Sequence, residues 1–335
     1  MSKRIRLGIL GTARVARTVV PQMQLSDTAS VVIVGSRSLD KAQSFAAEFD
    51  IPQAVGSYED VLASDCDAVY IPLPPALHCE WTCRAAEAGK HVLCEKPLAT
   101  SAADARTMIE TCRRHGVVLL DSVMWYHTER AERMKHIIAS GALGDVRQIT
   151  SAFTFPGDAM PDSNIRFNSA LGGGSLLDVG WYCVGASLWF MNQLPQRVFA
   201  AAEWKHDVDW HLNGLMWFSD HQVAAIETGF NMIRRRWIEV AGTSAALVCD
   251  DFTRPWNLEK PRFWIHDVHG VSHQNVVTHP PIERCLVDAF CRLIQSGQIV
   301  HEWANLSLQT QHICDTLKRS AQNERIEAVE LLAPL

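Results

Sequence analysis

Lys96, Asp178 and Tyr182 are the residues of this 335-residue sequence whose types and settings could move a proton alongside a hydride. Lys96 stands in "HVLCEKPLAT" (91–100), where Glu95-Lys96-Pro97 follows a short apolar run. Pro97 biases Lys96 away from the α region and sets the exit of the chain. An ammonium fixed there can polarise a carbonyl or hydroxyl oxygen. The same residues would also make an ordinary ion pair at a strand end. Asp178 and Tyr182 stand in "ALGGGSLLDVGWYCVGASLW", four apart and so on one face of a helix that the glycines open. A carboxylate and a phenol on one face fit proton transfer. A tyrosine titrates near about 10, so as a base it needs a cation such as Lys96 beside it, and as an acid in the reducing direction it needs less help. A core tyrosine bonded to an aspartate would read the same way.

The first third of the chain supplies elements to position Lys96. "IRLGIL" reads as a buried strand, and "GTARVARTVVPQMQ" has helical spacing at Val15, Val19 and Met23. "ASVVIVGSRS" is a strand, "LDKAQSFAAEFD" a helix, "DAVYIPLPP" a strand stopped by prolines, and "ALHCEWTCRAAEAGK" a helix ended by Gly89. "HVLCEKP" is a strand, "SAADARTMIETCRRHG" a helix capped by Ser101, and "VVLLDSVMW" another strand. This alternation predicts an α/β domain with a doubly wound parallel sheet, covered on both faces by helices. Ligands bind such sheets at the carboxyl ends of the strands, which is where Lys96 falls.

The first strand ends in Gly8-Ile-Leu-Gly11-Thr12-Ala13-Arg14-Val15-Ala16. A dinucleotide fingerprint would place glycines at 11, 13 and 16. Only Gly11 is one, with Ala13 and Ala16 as small substitutes that still let the backbone approach a pyrophosphate. Gly8, Gly11, Thr12, Ala13, Arg14 and Val15 are thus candidate cofactor-binding residues, as are Pro72 and Leu73 at a later strand end. An NAD-preferring site places Asp or Glu at the end of the second strand. Here "VGSRS" supplies Ser36 and Arg37, with Lys41 a turn later. A hydroxyl and a guanidinium suit a 2′-phosphate that a carboxylate would repel, so NADP(H) is favoured over NAD(H).

After Trp125 the pattern changes. A helix, "ERAERMKHIIASG", is followed by runs of strand character: "VRQITSAFTF", "QRVFAAAEW", "NGLMWFS", "QVAAIETGFN", "RRWIEVAG", "AALVCDD" and "RFWIHDV". Helices near 174–191, 280–296 and 303–322 complete a C-terminal α+β domain with a large, mainly antiparallel open sheet. The expected division is 1–125 for the dinucleotide-binding domain and 126–335 for the substrate-binding and oligomerisation domain. A sheet face this rich in Trp, Met and Phe is a candidate oligomer interface, unless the last helices cover it.

Bulk composition excludes several classes. With 47% apolar and 20% charged residues, the chain is globular and not disordered. A net charge of −6 and one basic triplet, Arg234-Arg235-Arg236, offer no track for a nucleic acid; the triplet reads as a strand with a basic face. The ten cysteines show no CxxC pair and no dense framework, as expected of reduced thiols in a cytoplasmic protein. The N-terminus "MSKRIRLGIL" enters a strand at once and lacks the features of a signal peptide. The longest apolar-rich stretch contains Asp178 and is too polar to span a bilayer. The 14 histidines are scattered, and His266 and His269 lack carboxylate partners for a hydrolytic metal site.

The segment "DAVYIPLPPALHCEWTCRAAEAGKHVLCEKPLAT" resembles the glucose-fructose oxidoreductase / inositol dehydrogenase / rhizopine-catabolism family of NAD(P)-dependent oxidoreductases. The resemblance continues through "SVMWYHTERAERMKHIIASGALGDVRQI" and "ALGGGSLLDVGWY", so it covers nearly the whole chain. "GSYEDVL", "MWYH" and "FTFPGD" point to the branch with dihydrodiol dehydrogenases, xylose dehydrogenases and sugar ketoreductases. The resemblance implies that Lys96 lies beside the nicotinamide and polarises the reacting oxygen. It implies a cis Lys96–Pro97 bond, a form taken by about 5% of X–Pro bonds. It implies that Asp178 contacts substrate or orients the acid/base, and that Arg166 and His78 lie near the cofactor. Glu95 is expected to hold the charge of Lys96 or bond a ribose, and Trp125 and His127 to line the cleft. Tyr182 stands where many relatives have histidine and marks the branch. The family also implies a sugar, cyclitol or trans-dihydrodiol substrate and a homodimer or homotetramer built sheet to sheet. A non-catalytic NAD(P)-binding sensor exists on the same scaffold, and the joint presence of Lys96, Asp178 and Tyr182 argues against it here.

Overall fold

The computed structural model describes residues 4–219, 221–333 and 335. In chain order the first elements are β1 (Ile5–Leu10), α1 (Ala16–Gln24), β2 (Ala29–Gly35), α2 (Leu39–Glu48), β3 (Gln53–Val55), α3 (Tyr58–Ala63), β4 (Ala68–Ile71), α4 (His78–Glu87), β5 (His91–Cys94), α5 (Ala102–Arg114) and β6 (Leu119–Asp121). The strands form one sheet in the order β3-β2-β1-β4-β5-β6, with every pair parallel. Side-chain caps start its helices: Ser38, Ser57 and Ser101 accept from the amides of Lys41, Asp60 and Asp104. Each satisfies an amide that the first helical turn would leave open. The parallel sheet agrees with the expectation from the sequence, and β3 and α3 are additions to it. Three and six residues are too few to show a period.

The second run is α6 (Glu129–Ala139), β7 (Val146–Pro156), a π-turn at Leu176–Gly180 leading into α7 (Trp181–Met191), β8 (Arg197–Lys205), β9 (Val208–Trp217), β10 (Val223–Gly229), β11 (Asn231–Gly242), β12 (Ala245–Cys249), β13 (Arg262–Asp267) and β14 (Ser272–Val276). The chain ends with α8 (Ile282–Ser296), α9 (Glu302–Asn323) and β15 (Glu327–Ala328). The nine-stranded order is β14-β13-β12-β11-β7-β10-β9-β8-β15, antiparallel except for β10 against β7.

The chain forms two compact units. One holds the residues up to Met124 together with Pro280–Asn305 and Leu335; the other holds Trp125–His279 and the stretch from Leu306. The division therefore differs from a single cut near 125. Leu286, Val287, Phe290 and Cys291 of α8 lie in one core with Leu7, Val19, Val20 and Leu93. Burying each of the larger ones contributes roughly 1.5–3 kcal/mol, which ties α8 to the first unit. An amphipathic helix shows which of its faces is apolar, not which sheet that face will meet.

On the nine-stranded sheet, register places Phe199, Leu215, Ala225, Thr150, Glu239, Val248 and Trp264 side by side in one cross-strand row. All seven are half-buried or exposed, so the last helices do not cover this face. The arginine triplet is not a basic face. Arg235 pairs with Glu227 at 2.8 Å, Arg234 is exposed and Arg236 is buried. Among the described residues no helix is long and apolar enough to cross a membrane. All ten cysteines are free thiols, and burial pushes those of Cys183 and Cys249 up to about 12.

Candidate active site

In the first unit the loop after β1 starts at Gly11, whose amide donates to the Gly35 carbonyl at 2.8 Å. Gly11 has φ +107°, and a Cβ there would lie 3.1 Å from Leu73 Cδ2. The positive φ calls for glycine, and a Cβ would in addition crowd Leu73. Thr12, Ala13 and Val15 are half-buried and Arg14 is exposed, so the turn presents main chain and short side chains. Gly8 sits within β1, where a Cβ would press on Val61 of α3 at 2.5 Å. It serves packing and does not face a ligand. Pro72 and Leu73 follow β4 and are buried, with Leu73 against the glycine turn.

At the end of β2, Ser36 is buried and its hydroxyl accepts from the Ser38 amide at 3.3 Å. Arg37 and Lys41 are exposed cations, and Lys41 lies in the first turn of α2. Tyr58 is a partner that the sequence reading missed. Burial pushes its phenol up, and a hydrogen bond with Arg37 works against that shift. Tyr58 thus braces the Arg37 guanidinium. Its only sequence signal is "GSYEDVL", which marks the family branch and does not by itself show a binding element.

Glu95 and Lys96 follow β5, and Lys96–Pro97 is cis, as expected. Lys96 is half-buried. Glu95 is buried and its Oε1 accepts from Tyr70 Oη at 2.6 Å. Burial pushes the Glu95 carboxyl up, while the Tyr70 bond and the charge of Lys96 pull it back. The expectation that Glu95 bonds a ribose therefore meets a carboxylate already engaged inside the protein. His78 is fully buried: Nδ1 faces the Pro97 carbonyl at 2.9 Å and Nε2 the Leu73 carbonyl at 2.8 Å. Burial lowers its pKa although the carbonyls favour the cation. Burial outweighs the carbonyls, so one ring nitrogen donates and the other only abuts a carbonyl. Neither nitrogen is left for a cofactor, which corrects the expected role of His78. It clamps the ends of β4 and β5 and so fixes where Lys96 emerges.

In the second unit Arg166, Asp178 and Tyr182 come together. Arg166 Nε donates to Asp178 Oδ2 at 2.6 Å, and the Asp178 side chain is 14% exposed. Asp178, followed by Tyr182 itself, holds the Arg166 guanidinium above its usual range. The attraction is mutual, so Arg166 steadies negative charge on the Tyr182 oxygen. Asp178 lies in the π-turn and Tyr182 in α7, a break in helical hydrogen bonding that recurs at functional sites. The Tyr182 ring packs on Phe153 with centroids 5.4 Å apart. Phe153 in turn packs on a cluster of Phe167, Val179, Trp210 and Phe230.

Three features position this group. The Gly174 amide donates to the Arg166 carbonyl at 2.9 Å, and the Asp178 amide donates to the Gly174 carbonyl at 3.1 Å. Buried Asp209 accepts from Ser175 Oγ at 2.9 Å and from the Leu176 amide at 2.5 Å. Gly174 has φ +115°, and a Cβ there would lie 2.2 Å from Asp209 Oδ1. Asp209 is 31 residues downstream of Asp178, so no local pattern could have found it.

Trp125 does not line an open surface. It is 1% exposed and packs against Tyr126, Trp189, Phe190 and Phe252, which corrects its assignment to substrate. His127 is half-buried in the turn Met124–His127.

A glycine-turned parallel sheet with cations at the end of β2, a lysine after β5 and an arginine–aspartate–tyrosine group define a class: nucleotide-dependent α/β oxidoreductases. Sequence comparison is specific. Residues 5–122 match the GFO_IDH_MocA model, an oxidoreductase family with an NAD-binding Rossmann fold, and residues 131–248 match the GFO/IDH/MocA C-terminal domain. The chain is 34% identical to D-xylose 1-dehydrogenase (NADP(+)) 2 of Haloferax volcanii, over 97% of this chain and 99% of that one. It is 36% identical to dTDP-3,4-didehydro-2,6-dideoxy-alpha-D-glucose 3-reductase of Saccharopolyspora spinosa, over 89% and 90%. The crystal structure of KijD10, a 3-ketoreductase from Actinomadura kijaniata in complex with NADP and TDP-benzene, superposes with a TM-score of 0.86 at 28% identity, over 95% and 98%. The protein belongs to the GFO/IDH/MocA oxidoreductase family.

Proposed function

We propose that the protein catalyses NADP(H)-dependent interconversion of a carbinol and a carbonyl on a sugar or related polyol. The observation that carries this reading is the Arg166–Asp178–Tyr182 group. A phenol beside a guanidinium, itself fixed by a carboxylate at 2.6 Å, is equipped to give up and regain a proton. NADP(H), when bound, supplies or accepts the hydride. Gly11 and the short loop residues after it leave room for the pyrophosphate, and the Ser36–Arg37–Lys41 cations and hydroxyl suit a 2′-phosphate. Lys96, at the end of β5, is equipped to donate a hydrogen bond to a carbonyl or hydroxyl oxygen and polarise it. Tyr182 donates the proton in the reducing direction and receives it in the oxidising one. Asp178 is neutralised by Arg166, so it orients its neighbours and does not act as the base. Relatives named as xylose dehydrogenase and dTDP-sugar 3-reductase support the sugar class.

The reading extends to self-association through the open face of the nine-stranded sheet, where the Phe199–Trp264 row faces solvent. Ten free thiols suit a reducing compartment such as the cytoplasm.

The test is a panel of aldoses, ketosugars, cyclitols and trans-diols followed by NADP(H) absorbance, with NAD(H) in parallel. Turnover of at least one sugar with NADP(H) preferred is the expected result. Absence of turnover, together with no thermal shift on adding either cofactor, would sink the proposal. Light scattering in solution tests the dimer or tetramer.

A further inference from the structure

Arg236 of β11 is a buried cation, 7% exposed, whose Nε finds no hydrogen-bond acceptor among the described residues. Its guanidinium lies 3.8 Å from the centre of the Trp256 ring. Trp256 is held in place by its amide on Asp251 Oδ2 at 2.5 Å and its indole N–H on the Asp250 carbonyl at 3.2 Å. Asp251 attracts Arg236 but makes no hydrogen bond to it among the described residues: Arg130 takes Oδ1 at 2.5 Å and the Trp256 amide takes Oδ2, while Arg130 also donates to the Asp251 and Phe252 carbonyls. Arg234 and Arg254 add to the field. Burial and these neighbouring cations bring Arg236 down to about 10, against the pull of Asp251. A buried cation whose donors are not all met is costly, and an incoming oxyanion would relieve that cost.

The location is as informative as the charge. Arg236 pairs directly with Phe153 across the β11–β7 ladder, so the two side chains stand together on one face of the sheet. Phe153 is the ring that packs on Tyr182. Arg236 is thus one side chain removed from the proposed proton donor, beside a tryptophan that is 47% exposed. The guanidinium fork matches an oxyanion, and the aromatic face suits the ring that bears it.

We propose that Arg236, with Trp256 as its platform and Arg234 at the rim, binds an oxyanion carried by the substrate, so that the preferred sugar is phosphorylated or carboxylated. This rests on the sugar oxidoreductase reading and narrows it. In the holoenzyme, kcat/KM is compared for a parent aldose, its phosphate ester and its uronate. The ratio of an anionic to the neutral sugar should exceed one by roughly 10- to 100-fold and collapse toward one in Arg236→Met. Whether phosphate or uronate gives the gain identifies the anion. A ratio near one for both, or a ratio that Arg236→Met leaves intact, overturns the proposal.

Calorimetry with inorganic pyrophosphate, after saturation with NADP+, reads the site without turnover. Wild type should bind and Arg236→Met should not. Equal binding by both, or none by wild type, counts against the site even if the panel shows sugar turnover. Conversely, loss of pyrophosphate binding in the variant stands even if no sugar reacts, which separates the two readings. Should Arg236→Met fail to fold, the exposed Arg234→Gln must weaken pyrophosphate binding, and a normal affinity there refutes the claim.

Discussion

The β5 end and the π-turn of α7 are built in opposite ways. Lys96 is placed by its immediate surroundings: β5 behind it, Pro97 after it and His78 clamping the two strand ends. Tyr182 is placed from a distance. Its helix start hangs on Asp209 of β9, its charge partner Arg166 comes from 16 residues upstream, and its ring leans on Phe153 of β7. A locally built site concentrates function in few atoms and loses little fold when changed. A remotely built site spreads function over the packing that holds it, so that stability and activity fall together.

Two substitutions test the comparison hardest. Lys96→Ala should lower kcat/KM by roughly 10³-fold, about 4 kcal/mol of transition-state stabilisation, while the melting temperature holds. Tyr182→Phe should lower kcat by about 10²-fold with KM little changed, since the ring keeps its packing and only the proton path is lost. If Lys96→Ala also melted early, the β5 end would be a structural ion pair after all. Gly174→Ala addresses the remote site. A Cβ on the Asp209 carboxylate at φ +115° should lower the melting temperature by roughly 5–10 °C and kcat with it, although residue 174 itself has no side chain to contribute. Activity loss without destabilisation there would mean that the π-turn is not held by Asp209.

The same contrast decides what the sequence could reveal. The parallel sheet and the place of Lys96 were legible because apolar runs, glycines and a proline encode them within a few residues, whereas the cis bond was legible only through the family resemblance. Asp178 and Tyr182 were legible as a pair at helical spacing, but their partner Arg166 was assigned to the cofactor. Nothing in "NIRFN" shows that a turn of glycines brings it back onto Asp178. His78 and Trp125 have the residue types of a site, and both turned out to be buried structural groups. Burial is set by which elements meet, and that is a long-range property. Asp209, Tyr58 and the attachment of α8 to the first unit went unseen for the same reason.

Arg37 offers a gentler probe of the locally built unit. It is exposed and braced by Tyr58, so its loss should not disturb the fold. Arg37→Ala should raise KM for NADP(H) about 10-fold and leave KM for NAD(H) within about twofold, the signature of one charge-assisted contact to a 2′-phosphate. An equal rise for both cofactors would move Arg37 from the 2′-phosphate to some shared part of the dinucleotide.

The smallest effect expected, and the most direct check on how the β5 end is held, comes from Glu95. Burial raises its carboxyl above the ordinary 4.5, so the folded protein holds that proton to higher pH than the unfolded chain does. Stability therefore falls with pH across the window between the two values. The contribution is full below about 4.5 and is lost as pH rises through the folded value. Glutamine carries no such proton, so the melting temperature of wild type minus that of Glu95→Gln should decline as pH rises from about 4.5 and then level off. A difference that rises with pH instead would mean that the Tyr70 bond and the Lys96 charge outweigh burial. The β5 end would then be held by an ion pair, as Arg166 and Asp178 are, and the contrast between the two sites would reduce to the distance over which each is assembled.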